Sequence, residues 1–303
     1  MTRIAMGAWT FIFPPYDEKP EGFVSVLDHA KKAGYEGIEV GWFAPHPGVS
    51  DLATKEERKR YASLFTERGL GIAGVVANFD GAPSVITSDD NSAFLAQLDA
   101  QLQLCEDLGI TMLRLDLVDG PEVLESMDYE RAHERLVSTW TEAARRGKDF
   151  GVRIGWEFEP GTAFNKPSQF LRIADEITEP NFGVIYDTTQ AHNCLLGRNQ
   201  QGEIETFPGG QSELLRRLKG KITHVHLIDS NGSLFDNRWS RHIPFGQGDI
   251  DWDAVMPALV AAGSRDEWWT VDVCWLENAW PVFEQGRTFV EDLRKKYGQP
   301  PAA

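Results

Sequence analysis

Eight short runs rich in β-branched and aromatic residues recur along the chain. They are RIAMGAW (3–9), EGIEVGW (36–42), LGIAGVVA (70–77), TMLRLDL (111–117), VRIGWEF (152–158), FGVIYD (182–187), ITHVHLI (222–228) and WWTVDVCW (268–275). Continuous apolar stretches of this length suit strands covered on both faces, as in a parallel sheet. Between them lie helical patterns at about 20–33, 55–68, 91–108, 129–150, 168–177, 210–219, 251–262 and 281–297. Gly34, Gly69, Gly109, Gly151, Gly220 and Gly263 stand just before a following strand, the C-cap signal of an αβ loop. Ser168 and Asp251 are expected to cap helix N-termini. Eight βα units with no Pro/Gly/Ser-rich linker predict a single α/β domain over residues 1–303, a (β/α)8 TIM barrel. A doubly wound open sheet would want a glycine-rich fingerprint after an early strand, and GAWTFIFPP is not one.

Charge excludes some functions. With 46 acidic against 30 basic residues the formal net charge is −16, which opposes binding to nucleic acid or anionic membranes. Cys105, Cys194 and Cys274 are an odd, widely spaced set with no C-x-x-C, as expected of reduced thiols. The N-terminal MTRIAMGAWTF lacks an apolar h-region, and no stretch of about 18 apolar residues follows. These features predict a cytoplasmic protein with neither membrane nor nucleic-acid partners.

In a barrel the C-terminal strand ends carry the chemistry, so polar residues there are informative. Glu157 lies six positions after Gly151, Asp187 six after Asn181, His226 six after Gly220 and Asp272 six after Asp266. Four successive strands thus bring a metal-capable side chain to one height, and strand alternation lets all four face the axis. Three carboxylates and one imidazole suit a single divalent ion, Mn2+ first, with Mg2+, Co2+ or Zn2+ as alternatives. Glu159 shares the parity of Glu157 and would sit one step nearer solvent. His224 would sit one layer below His226, as a core histidine bonded to a carboxylate. Around this ring stand Trp9, His46, Arg114, Asp116, Gln190, His192, Arg238, Arg241 and His242, any of which could instead be a solvated loop residue.

GYEGIEVGW, GVRIGWEFEPG, FGVIYDTTQAH, GKITHVHLIDSNG and FGQGDIDW together resemble the sugar phosphate isomerase/epimerase family of xylose isomerase-like barrels. The resemblance implies a metal held by Glu157, Asp187, His226 and Asp272, the last an Asp where the family typically has Glu. It also implies a metal-dependent isomerase or epimerase that acts on a sugar or keto-sugar, removing a proton next to a metal-bound carbonyl through an enediolate. Glu157 and Asp272 are expected as base and acid. His192 and His242 are further catalytic candidates, and Glu159, Gln190, His46, Trp9 and Arg114 are expected to contact substrate. Gln190 stands where ketose epimerases carry a histidine, and DSNG follows HVH where they carry an arginine. Those departures keep open a lyase that eliminates a β-substituent, such as a keto-inositol or dehydroshikimate-type dehydratase or a 3-oxo-C-glycoside deglycosidase. A non-catalytic sugar-binding barrel is the third reading. A homo-oligomer is expected, and a separate small subunit, as in some related lyases, is left open.

Overall fold

The structure is a computed structural model that describes residues 2–298. Eight parallel strands close on themselves: β1 (Arg3–Gly7), β2 (Gly37–Gly41), β3 (Gly71–Val76), β4 (Met112–Leu115), β5 (Arg153–Glu157), β6 (Phe182–Asp187), β7 (Ile222–Leu227) and β10 (Trp268–Val271). Each pairs with its sequence neighbour, and β1 closes the ring against β10. A short hairpin, β8 (Leu234–Phe235) and β9 (Trp239–Ser240), rises from the loop between β7 and β10. The expected (β/α)8 barrel is therefore the observed one.

The helices follow local signals. Thr54 opens α2 (Lys55–Thr66) with a capping box: its hydroxyl accepts the Glu57 N–H, and the Glu57 carboxylate accepts the Thr54 N–H at 2.8 Å. Asp128 and Asp251 cap α5 (Tyr129–Asp149) and α9 (Trp252–Ala262) in the same sense. All six glycines expected at helix ends take positive φ, as at Gly109 (68°) closing α3 (Ser92–Leu108). A side chain there would strain the left-handed backbone. The helices pack on the barrel through large apolar groups. Trp140 of α5 is fully buried, and Phe170 of α6 (Pro167–Glu176) stacks on Phe158 at 4.1 Å between ring centroids. Among the described residues, no helix is long and apolar enough to cross a membrane.

Three expectations need correcting. Ser168 does not cap α6: that helix opens on Pro167, whose missing N–H costs nothing at this position. The Ser168 N–H and hydroxyl both donate to the Glu205 carboxylate. Strand β1 stops at Gly7 rather than Trp9, because the Trp9 indole folds back over Gly7; a Cβ there would lie 2.5 Å from that ring. Finally, residues 188–195 form helix α7 (Thr188–Leu195), which the polar, β-branched sequence TTQAHNCL does not advertise.

Candidate metal centre and substrate cavity

The metal-capable residues meet at the C-terminal mouth of the barrel. Asp187 pairs with His226 across β6 and β7; Glu157 pairs with Ile185, two residues before Asp187, and Asp272 lies two beyond Thr270, the partner of His226. Steps of two, none and two residues follow the stagger that keeps inward side chains level in a barrel of eight tilted strands. Donor atoms of Glu157, Asp187 and His226 all lie within 4.8 Å of one another. His226 Nδ1 stands 2.9 Å from Glu157 Oε1, 3.8 Å from Asp272 Oδ2 and 4.0 Å from Asp187 Oδ2.

Asp187 does two jobs. Its Oδ1 accepts the N–H groups of Thr189 and Gln190, both at 2.7 Å, and so starts α7. Its Oδ2 is buried with no partner and faces the cluster. Burial, and then the charges of Glu157 and Asp272, push the Asp187 carboxyl well above its usual range. A cation at this point would cancel both costs. Asp272, though one methylene shorter than Glu, still reaches the cluster through Oδ2, while Trp9 Nε1 donates to Oδ1 at 3.1 Å.

Beneath the cluster lies a residue that sequence reasoning missed. Glu39 of β2 is fully buried, and its Oε2 lies 2.7 Å from His224 Nε2 and 2.9 Å from His226 Nε2. Asp266 Oδ2 lies 2.5 Å from His224 Nδ1. Burial opposes charge on Glu39, His224 and His226, but the mutual attraction wins. Asp266 and Glu39 raise His224 to about 9, and the two histidines hold Glu39 well below the usual carboxylate range. A proton held on His226 Nε2 by Glu39 leaves Nδ1 turned toward the carboxylates, the arrangement by which an outer carboxylate orients a ligating histidine. The signal was a lone Glu inside the apolar run GIEVG, which a buried strand tolerates only with partners.

Above the cluster is a cavity of about 510 Å3. Arg114 reaches its floor from β4: Nε donates to Asp116 at 2.7 Å, and Nη2 lies 2.5 Å from Glu157 Oε2, an ion pair without hydrogen-bond alignment. Nη2 also lies 3.3 Å from Glu159 Oε1. Burial opposes ionisation of Glu157, yet Arg114 and His226 outweigh it and lower its carboxyl. Burial, followed by repulsion from Glu157, pushes Glu159 well up, so the two neighbouring carboxyls are driven apart. Gln190 Nε2 approaches Glu159 Oε2 at 3.4 Å, and Gln190 Oε1 accepts the Ser240 hydroxyl at 2.7 Å. His242 lines the wall, its Nδ1 3.0 Å from the Cys274 nitrogen and 3.2 Å from the Asp272 carbonyl oxygen; burial lowers its pKa. Cys274 also lines the cavity, with Sγ 3.5 Å from Asp272 Oδ1.

Trp9, Arg114, Glu157, Glu159, Gln190, His242 and Asp272 thus share one cavity wall, and Asp187 and His226 lie beneath it. The structure does not bring His46 or His192 there. His46 Nε2 bonds the Glu21 carbonyl at 2.9 Å, and its ring packs 5.1 Å from Phe23. His192 follows Gln190 by two residues, about 200° around α7. It faces Gly232 and Arg198 instead. Trp239 and Trp275, both unanticipated, wall the cavity from the long loops after β7 and β10. Trp275 takes φ 63°, an uncommon backbone state for so bulky a residue.

A family model described as xylose isomerase-like TIM barrel matches residues 27–293. No curated protein sequence matches the chain. Among solved structures, the IOLI protein with a binding zinc atom superposes with a TM-score of 0.74 at 18% identity, covering 97% of this chain and 99% of its own. An L-ribulose 3-epimerase gives 0.67 at 20% identity, with 98% and 97% covered. D-psicose 3-epimerase from Clostridium cellulolyticum H10, with D-tagatose, gives 0.69 at 14% identity, with 98% and 100% covered. At such identities the likeness carries the fold, while the family match spans most of the sequence. The chain belongs to the xylose isomerase-like TIM barrel family.

Proposed function

We propose that this protein is a divalent-metal-dependent isomerase or epimerase of a sugar or keto-sugar. The observation that carries the reading is the convergence of three buried carboxylates on His226 Nδ1 at the barrel mouth, beneath a substrate-sized cavity. The solved structures of similar fold include sugar 3-epimerases and a zinc-bound IOLI protein, which supports the same reading.

The unpartnered Oδ2 of Asp187 and the crowding of like charges fit a cation. Glu157, Asp187, His226 and Asp272 would hold it. When bound, a divalent ion supplies Lewis acidity that polarises a carbonyl and steadies the charge developing beside it. Glu157, kept ionised by Arg114 and His226, takes the proton from the carbon next to the carbonyl. Asp272, entering the cycle with a proton, gives it to the opposite face while Glu157 keeps the one it has taken, and exchange with solvent resets both carboxyls. Arg114 and Gln190 fix the Glu159 carboxyl, whose pKa burial raises, in position to meet a substrate oxygen. The aromatic wall excludes water from these transfers.

One observation favours elimination as a second reading. The buried His242 imidazole at the cavity wall is an acid–base group additional to the carboxylates, suited to a departing β-substituent. The test is metal analysis coupled to NMR detection of solvent deuterium exchange α to the carbonyl, across ketoses, keto-inositols and 3-oxo-glucosides. Exchange without loss of a substituent supports isomerisation, and loss of a substituent supports the lyase. A Glu157→Gln protein that keeps both its metal and full exchange would overturn the proposal.

A further inference from the structure

A second cavity of about 340 Å3 lies beside the first, the two sharing Asp116, Leu117 and Val118 in their walls. A free hexose of roughly 12 heavy atoms, at no more than about 30 Å3 each, fills less than about 360 Å3. The first cavity alone holds that with room to spare.

The second lobe differs in chemistry from the floor of the first. Its walls are Phe43, Phe79, Phe94, Pro83, Val85 and Val118. An aromatic path leads into it. Phe13 at the mouth contacts Phe43 at 5.5 Å between ring centroids, and Phe79 stacks on Phe94 at 4.0 Å with 22° between planes. Val118 is 75% exposed, an apolar side chain left in water at the junction.

Two polar side chains of the lobe, Asn78 and Ser84, are engaged with the protein. Asn78 donates to the Trp42 carbonyl at 3.0 Å and accepts the Asp80 N–H at 2.9 Å, and Ser84 donates to Asp119 at 2.6 Å. Anions are disfavoured in this lobe. Asp80, Asp116 and Asp119 line the lobe, and the nearest cations are committed. Arg114 pairs with three carboxylates, and Arg238 donates to the Gly161 and Val118 carbonyls.

We propose that the substrate is an uncharged polyhydroxy carbonyl compound bearing a planar, apolar, aryl-type group, and that this group lies against Phe43 and the stacked Phe79–Phe94 pair. The carbonyl half of this assignment rests on the reading above; the aryl half rests on the second lobe alone. Face-to-edge and stacked contacts with three phenyl rings favour a flat apolar group over a saturated polar one.

The test measures dissociation constants of phenyl β-D-glucopyranoside, methyl β-D-glucopyranoside and glucose 6-phosphate by calorimetry, with metal content determined on the same preparations. The phenyl glycoside is expected to bind at least about tenfold more tightly than the methyl glycoside. Phe79→Ala should bring that ratio to within about twofold, and so should Val118→Asp, which alters an exposed side chain and leaves the core untouched. The proposal is overturned if the parent shows no preference, if the preference survives both substitutions, or if glucose 6-phosphate binds more tightly than the phenyl glycoside. A preference found in protein that takes up no metal would sustain the aryl lobe and sink the metal reading.

Discussion

Glu39 offers the sharpest test of how the centre is held, because it touches no other part of the cavity. One oxygen, Oε2, serves both His224 and His226 from a fully buried position. Glu39→Gln keeps the shape and an acceptor but removes the charge that favours a proton on His226 Nε2. Loss of such an outer partner typically weakens metal binding 10–100-fold, or about 1.4–2.8 kcal/mol. The metal-free fold should also lose roughly 1–3 kcal/mol, because one amide cannot satisfy both imidazoles as a carboxylate does. Competition against a chelating dye, with Mn2+ and Zn2+ separately, reads the first effect; urea unfolding in chelator reads the second. If the variant binds both ions within twofold of the parent, while Asp187→Asn is severely impaired, Glu39 does not orient the ligand and the argument fails.

Asp187→Asn should lower metal content by at least tenfold yet keep α7 helical, because Asn remains a good N-cap; elemental analysis and circular dichroism read the two effects. His192→Ala should leave metal content unchanged and move stability by no more than about 0.5 kcal/mol, since its half-exposed ring faces away from the cavity. Trp140→Ala should cost about 3–5 kcal/mol in urea unfolding, through the hole left beside Phe94. His242→Asn should slow product formation by 10²–10⁴ while α-proton exchange persists, as NMR would show. Parallel loss of exchange would mean that His242 serves the abstraction step as well.

Most of the barrel was legible because its determinants are local. Helix faces, capping Asp and Thr residues and closing glycines lie within a few positions of what they control. Asp187, His226, Glu157 and Asp272 were legible for a related reason: strand alternation and a constant offset from the preceding loop fix direction and height at once. What escaped depends on contacts distant in sequence. Glu39 reads as an ordinary strand residue until β7 brings two histidines 185 and 187 positions away against it. His46 and His192 reached the candidate list by chemistry alone, and their loop and helix turn them elsewhere. Helix α7 escaped because its start signal, Asp187, was read only as a candidate ligand, although one oxygen of that carboxylate caps the helix.

That double use has a mechanical consequence. Asp187 Oδ1 is pinned by two backbone N–H groups and Asp272 Oδ1 by the Trp9 indole, so each presents one remaining oxygen to the cluster. His226 is pinned from below by Glu39, and Glu157 faces Arg114 from the side. Each proposed ligand is therefore held by a group from outside the set, drawn from the turn after β1, from β2, from β4 and from α7. Preorganisation of this kind transfers the cost of gathering like charges from the moment of metal binding to the folding of the barrel. The barrel can meet that cost because parallel strands buried on both faces supply far more apolar contact than the cluster consumes. A substitution at Glu39, remote in sequence from the cluster, should thus move metal affinity, while one at His192, five residues from Asp187 but turned away, should not.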